Sequence, residues 1–453
     1  MGRITLRQAA GWCGGRIDPK YADVTFLGAN NDSRNIQPGQ LFIALEGERD
    51  GHAFIPMAME KGAAAVLCRH CEGDYPAIVV EDPRIALGDI AREERRRIGM
   101  KVVGVTGSVG KSTTKEMIAC VLDGSYRVGK TPVNHNNDIG MPMAVLAMSE
   151  DTEVAVLEMG MNHFREIAYL ASIALPDVAV IVNIGTMHIE HLGSQEGILK
   201  AKLEILEGMK TDGKVILNGD DALLHNVHRK SSLWVTYFGV LNPDCDVRAS
   251  DVTQTPGQLT FTVNCGNQSF PVELAMEGEH YVPDALAAVS VGLAMGVSPV
   301  SIRERLASFQ NLAGRQEILQ VKGYTIIKDC YNAGPESMAA ALSVLGNKPG
   351  RHIAVLGDML ELGVCTQAEH YRIGRIAAEK ADIVLAYGPN SSRIINGSLT
   401  GGMPDTRAMA FEDRDQLVSA LKRLAKPGDV MLFKGSHGMH MELALEKFLK
   451  DEA

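Results

Sequence analysis

Cysteine is scarce in this sequence, with eight in 453 residues. That is too few for a disulfide scaffold and fits reduced thiols. The one CxxC, Cys68 to Cys71 with His70 inside it, has no second pair in its segment. A structural zinc needs four ligands, so the pair is read as two ordinary thiols near a strand end. Long apolar runs are also missing. Stretches such as Val178–Val182 fall far short of the about 20 residues that cross a bilayer, so no membrane insertion is expected. The N-terminal MGRITLRQAAGWCGGR has no hydrophobic export core, which predicts a cytoplasmic location. Basic charge is in deficit: Lys+Arg 45 against Asp+Glu 55 gives a net charge of −10. That balance argues against a nucleic-acid or anionic-membrane partner held by bulk charge. No short repeat or low-complexity tract occurs, and 45% hydrophobic with 22% charged residues is ordinary for a globular chain.

What is present has a clear order. The length predicts about three domains, because a single core stops growing near 250–300 residues. Short β-like runs, Val24–Leu27, Leu41–Leu45, Ala65–Cys68 and Ile78–Val80, are separated by turn signals such as Gln37-Pro38-Gly39. A helical run follows, Ile85–Ile98, whose outer face carries Arg92, Arg95, Arg96 and Arg97; it is read as a solvated face rather than a phosphate patch. From Val102 the rhythm becomes strand, turn, helix. Continuous apolar runs at Val102–Val105, Val154–Leu157, Val178–Val182 and Val215–Leu217 suit strands buried on both faces of a parallel sheet. The rhythm returns at Thr325–Ile327, Ile353–Leu356, Ile383–Ala386 and Val430–Phe433. The fold class expected is α/β in three domains. These are a small mixed domain over 1–82, a central P-loop parallel-sheet domain over 83–312, and a Rossmann-like domain over 313–453. Ligand sites should lie at the strands' carboxyl ends.

The strongest chemical signal is Val102-Val103-Gly104-Val105-Thr106-Gly107-Ser108-Val109-Gly110-Lys111-Ser112-Thr113. A buried strand enters a glycine-containing loop, then Gly-Lys-Ser-Thr, then a helix with apolar Met117, Ile118, Val121 and Leu122. Such a loop aims backbone N–H groups and a helix N-terminus at phosphate oxygens. Lys111 would reach the β/γ-phosphates and the Ser112 hydroxyl would ligate Mg²⁺. The strict pattern places glycine where this chain has Val105, so the motif is a variant P-loop.

A triphosphate site needs further oxygen ligands for its metal. Glu158 closes the run Val154–Leu157, and His188 follows Val178–Val182. Each is a candidate ligand, and each could equally be an ordinary strand-end or loop residue. In Gln195–Met209, Ile198, Leu199, Ile205, Leu206 and Met209 mark one helical face. Lys202 falls on that inward stripe, with Lys200, Glu204 and Glu207 on the other side. A buried amine should be paired, neutralised or chemically modified, for instance by CO₂ to a carbamate; otherwise it snorkels past its apolar neighbours.

Taken together these segments resemble the Mur ligase family, the ATP-dependent amide ligases of peptidoglycan synthesis. The resemblance spans the chain. It rests on DSRNIQPGQLFIALEGERDGHAF at Asp32–Phe54, TGSVGKST at Thr106–Thr113, NHNNDIGMP at Asn134–Pro142 and LEMGMNH at Leu157–His163. It continues with MHIEHLGS at Met187–Ser194, KAKLEI at Lys200–Ile205 and GRQEI at Gly314–Ile318. The last markers are KDCYNAGPESM at Lys328–Met338, GDMLELG at Gly357–Gly363 and KGS at Lys434–Ser436. The NNDIG and GDMxELG segments are most like the member that adds D-alanyl-D-alanine to UDP-N-acetylmuramoyl-tripeptide.

The resemblance implies roles. Gly107, Ser108, Gly110, Lys111, Ser112 and Thr113 would hold ATP, with Lys111, His188 and Lys202 at the chemistry. Ser112, Glu158, His188 and a carbamylated Lys202 would hold Mg²⁺, in two sites. Arg315 and Asp329 would reach the nucleotide from the C-terminal domain. Ser33 and Arg34 would hold the UDP end of the substrate, and Asn136 and Asn137 would lie near the nucleotide–sugar. The implied partners are UDP-MurNAc-tripeptide and D-Ala-D-Ala, with no nucleic acid, and the working unit a monomer. Some positions depart from the family. His280-Tyr281-Val282-Pro283-Asp284-Ala285 stands where His-Asn-x-x-Asn-Ala is usual, so His280 and Asp284 sit in an altered adenine-binding segment. Arg165 replaces a common Gly, Gly334 a common Asn, and His437 a common Arg. The rival readings are a sibling ligase step (diamino-acid-adding or folylpolyglutamate synthesis), a P-loop phosphotransferase or NTPase, and a noncatalytic P-loop binding protein.

Overall fold

The computed structural model describes residues 4–227, 234–312 and 314–450. The expected junction at residue 313 lies outside the described residues. Two short strands, Ile4–Thr5 and Thr25–Phe26, pair antiparallel. Beside them four parallel strands run in the order Ala29–Asn30, Leu41–Ile43, Ala65–Cys68, Ala77–Val79. The run at Val24–Leu27 thus pairs outside the parallel sheet. Cys68 is buried at its strand end, where desolvation pushes the thiol up to about 12.

The central sheet has nine strands. Its parallel heart places Lys101–Thr106 between Val154–Glu158 and Val178–Ile181, followed outward by Lys214–Asn218 and Trp234–Gly239. Alternate residues of the apolar runs face opposite ways. Val103, Val105, Val154, Val156, Val178 and Val180 pack with the helices Lys111–Leu122 and Tyr281–Ala294. Val102, Ala155, Leu157, Ala179 and Ile181 pack with Pro83–Ile98, Glu166–Ala174 and Gln195–Leu203. Cover on both faces is why these strands read as unbroken apolar runs. The second layer is continuous with the core beneath the first small sheet.

Three antiparallel strands, Val247–Thr255, Gln258–Cys265 and Gln268–Leu274, extend the parallel sheet at one edge. Leu259, Phe261 and Val263 point inward while Thr260 and Thr262 are half-exposed, the period of a half-buried strand. The helix Pro83–Ile98 starts two residues before the expected run, on an Asp82 cap. Its arginines are matched to carboxylates: Arg92 to Asp89 at 2.8 Å, Arg95 to Asp177 at 3.0 Å, Arg96 to Glu93 at 2.6 Å and Arg97 to Glu94 at 2.6 Å. The solvated-face reading fits this pairing, although Arg95 is buried.

The C-terminal sheet has six strands, in the order Glu317–Val321, Tyr324–Asp329, Val430–Lys434, His352–Gly357, Ile383–Tyr387, Ala408–Phe411. Only the first pairing is antiparallel. Helices cover both faces. Among the described residues no helix is long and apolar enough to cross a membrane.

Candidate active site

The carboxyl ends of the two large sheets face a common cavity of about 970 Å³. From the central sheet come the loop after Lys101–Thr106, Glu158 and the segment after Val178–Ile181. From the C-terminal sheet come Asp329, Tyr331 and Lys434. This is where doubly wound sheets carry ligands.

The phosphate loop is held in shape by one side chain. Asn183 Oδ1 accepts from the N–H groups of Ser108 (3.0 Å) and Val109 (2.9 Å), and its Nδ2 donates to the Val109 carbonyl at 2.9 Å. Ser108 Oγ accepts from the Gly185 N–H at 2.9 Å. Gly110 turns the chain into the helix with φ +84°, and a Cβ there would lie 2.5 Å from Asp284 Oδ1, so the position requires glycine. Thr114 is the first residue to bond within the helix, to Gly110 O at 2.8 Å. The N–H groups of Lys111, Ser112 and Thr113 therefore have no intrahelical partner and suit an anion.

Lys111 Nζ donates to the carbonyls of Gly107 (2.9 Å) and Ser108 (3.2 Å). Burial lowers its pKa, with Glu158 opposing and Arg315 adding. Ser112 Oγ accepts from Arg315 Nη2 at 3.0 Å, so the C-terminal module already touches the loop. The Arg315 guanidinium lies over the Tyr331 ring at 4.1 Å. Asp329 Oδ2 accepts from Lys434 Nζ at 2.7 Å, and Lys434 is itself buried.

Glu158 is buried, with Oε1 accepting from Asn136 Nδ2 at 2.9 Å and Oε2 lacking any partner. An orphaned carboxylate oxygen in a polar cavity is costly unless a cation meets it. His188, with φ +63°, lines the cavity, and its Nδ1 lies 2.6 Å from Glu361 Oε2. Burial and Lys111 lower its pKa, against Glu361. Lys202 is buried and makes no hydrogen bond or ion pair among the described residues. Burial holds its pKa well below the ordinary value, and neighbouring Lys111 adds to the shift. The inward stripe is as expected for Lys202. Glu204 differs from expectation: the helix tightens to a 3₁₀ turn over Glu204–Gly208, and Glu204 turns inward to accept from the N–H groups of Arg165 (2.8 Å) and Ala168 (3.2 Å). The change of helical pitch moves it off the outer face.

Asn136 and Asn137 line the same cavity; Asn137 Oδ1 accepts from the Gly140 N–H at 2.8 Å. His280 lines it too, its ring 4.1 Å from that of Tyr281. Asp284 is buried against the phosphate loop, where Oδ1 accepts from Thr114 Oγ1 at 2.9 Å. Desolvation raises its pKa to about 7, opposed by Thr114 and Arg315. Ser33 and Arg34 do not reach this cavity. Ser33 is buried, with Oγ 3.5 Å from Met57 Sδ, and the exposed Arg34 forks onto Asp32 with two contacts of 2.9 Å.

Sequence reasoning missed Asn183, Tyr331 and Lys434 as site residues, although each stands at or just past the end of a recognised strand. It also missed Glu336 and Glu361, which reach the loop 186–188 from the C-terminal module; no periodicity marks such contacts.

Comparison with known proteins agrees with this arrangement. The patterns of the Mur ligase family catalytic domain, the Mur ligase middle domain and the Mur ligase glutamate ligase domain match residues 23–95, 105–292 and 314–437. The chain is 41% identical to the UDP-N-acetylmuramoyl-tripeptide–D-alanyl-D-alanine ligase of Bacillus subtilis, over 94% of this chain and 93% of that one. Its fold matches crystal structure I of MurF from Acinetobacter baumannii with a TM-score of 0.91 and 31% identity, covering 100% of each chain. It matches MurF ligase from Thermotoga maritima in complex with ADP with a TM-score of 0.83 and 30% identity, covering 93% of this chain and 97% of that one. With three matched domains and likeness along nearly the whole length, the chain belongs to the Mur ligase family.

Proposed function

We propose that the chain is an ATP-dependent ligase that joins D-alanyl-D-alanine to UDP-N-acetylmuramoyl-tripeptide through an acyl phosphate, giving the pentapeptide precursor of peptidoglycan. The observation that carries this reading is the full-length likeness to ligases of that name, together with a cavity where the phosphate loop meets Arg315, Asp329 and Lys434.

A carboxylate is a poor electrophile, so amide formation needs activation. The tripeptide's terminal carboxylate oxygen attacks the γ-phosphorus of ATP and the bond to ADP breaks. The dipeptide amine then attacks the acyl carbon, loses its proton and expels phosphate. The protein's part is positioning and charge neutralisation. The free N–H groups at the start of the helix Lys111–Leu122 hold phosphate oxygens. Lys111 exchanges its two carbonyl partners for the transferring phosphoryl group. Arg315 and Lys434, brought by the C-terminal module, balance charge and close the cavity against water, which would hydrolyse the acyl phosphate.

The donors fit Mg²⁺: the Glu158 oxygen without a partner, the Ser112 hydroxyl and His188 are the ligands we assign to it. Bound there, the ion would supply Lewis-acid stabilisation of phosphoryl charge. Lys202, buried and unpaired, suits conversion to a carbamate, in which the amine takes up CO₂ and releases a proton. We assign Asn136 and Asn137 to the nucleotide–sugar substrate, Ser33 and Arg34 to its UDP end, and His280 and Asp284 to adenine. The same reading has three domains meeting near residues 82 and 312, and a cytoplasmic monomer. The test is phosphate release from ATP with each substrate omitted in turn, combined with mass detection of the pentapeptide. Release independent of both substrates would mean an NTPase, and equal use of a diamino acid would mean a sibling ligase.

A further inference from the structure

One short segment, 185–190, a loop that runs into the helix Ile189–Leu192, is gripped on two sides by the C-terminal module. On one side, Glu336 Oε1 accepts from the Thr186 N–H at 3.2 Å and its Oγ1 at 3.3 Å. Beside it the Met187 side chain packs onto Gly334, where a Cβ would lie 2.8 Å from Met187 Cγ. On the other side, Glu361 reaches His188, and Gly363 approaches Glu190, where an added Cβ would meet Glu190 Cβ at 3.0 Å. His188 and Glu361 both hold left-handed backbone, φ +63° and +62°. Non-glycine residues keep that conformation where their surroundings over-determine it.

The atoms at the contact matter. His188 Nδ1 lies 2.6 Å from a carboxylate oxygen, at an angle outside that of a hydrogen bond, so the two groups meet by charge and proximity and a small turn of either side chain is needed to complete the bond. Two lone pairs at that distance would repel, so the arrangement selects the tautomer with its proton on Nδ1. Nε2 is then the ring atom left to ligate or accept. The Glu361 side chain is about half exposed, whereas that of His188 is mostly covered. The carboxylate therefore reaches in from a loop rather than forming part of a core.

We propose that Glu361 is a positioning residue for His188, fixing its tautomer and ring orientation, so that His188 takes its working geometry only when the C-terminal module is docked on the segment 185–190. The inference rests on the ligase reading for its kinetic consequence, but the pairing itself can be read without turnover.

The experiment uses the full-length chain with ¹⁵N-labelled histidine, and a His188→Gln variant assigns the signal. The wild type should show His188 protonated on Nδ1; Glu361→Ala should show mixed tautomers. In turnover, Glu361→Ala should lower kcat about 10–100-fold with KM for ATP, tripeptide and dipeptide unchanged. Glu361→Gln should recover part of the loss, because its carbonyl can still accept from Nδ1–H. Glu336→Ala, which touches Thr186 and not the ring, should leave the tautomer intact. An unchanged tautomer in Glu361→Ala, or a loss confined to KM, overturns the proposal. A wild-type protein that made no product would instead sink the ligase reading, with the tautomer measurement still deciding the pairing.

Discussion

Arg315 donates to the hydroxyl of Ser112 at 3.0 Å, joining two residues 203 positions apart in the chain. One lies at the start of the phosphate-loop helix and the other at the approach to the C-terminal sheet. Arg315→Ala removes this bridge and the stack on Tyr331. Phosphate release dependent on both substrates is expected to fall by at least about tenfold, as for a lost charge-stabilising donor. Thermal unfolding should move little. Activity within a factor of two of wild type would show that the contact is incidental.

Asp284 reports on pH. Its unfolded pKa is near 3.9, and burial raises the folded value to about 7. Below about pH 4 both states are protonated. Between pH 4 and 7 the unfolded chain ionises first, so stability falls as pH rises, and above 7 the deficit stays constant. Asp284→Asn should therefore raise stability at pH 8 by on the order of a few kcal/mol and change little at pH 4. Denaturant melts at the two pH values check this; equal shifts at both would refute the assignment.

Lys202→Met removes a buried amine and replaces it with a side chain of similar length. The variant is expected to fold at least as well as wild type, while ligation falls by roughly 100-fold or more. Removing dissolved CO₂ from the wild type should lower activity, and bicarbonate should restore it. A ¹³C-bicarbonate signal absent from the variant would place the carbamate on Lys202. Full activity in Lys202→Met would remove that role.

Gly334→Asn puts a side chain at the point where Met187 occupies the space. The single substitution should weaken ligation by displacing the segment 185–190. Met187→Ala should rescue it in the double variant, a non-additive pair of the kind neighbours show. Simple addition of the two effects would mean that the contact does not constrain docking.

The parallel strands were legible because burial on both faces removes polar residues from them, as at Val102–Val105 and Val178–Val182. The phosphate loop was legible because its chemistry is local in sequence. The antiparallel strands of 247–274 left a readable trace, Leu259, Phe261 and Val263 alternating with threonines after Pro256-Gly257, but that edge lies beyond the strand–helix rhythm. Glu204 was misplaced because a uniform helical period cannot foresee a 3₁₀ turn. Asn183, Glu336 and Glu361 act through contacts between distant segments, which no local pattern encodes.

Asn183 shapes the phosphate loop, and only a few residues later His188 faces Glu361. One uninterrupted stretch of backbone therefore anchors the nucleotide cradle at its front and the neighbouring module at its rear. An inserted or deleted residue between them could not be absorbed locally, since it would unhook whichever end it spared. The spacing of that stretch, more than any single side chain in it, is the dimension this enzyme has no freedom to change.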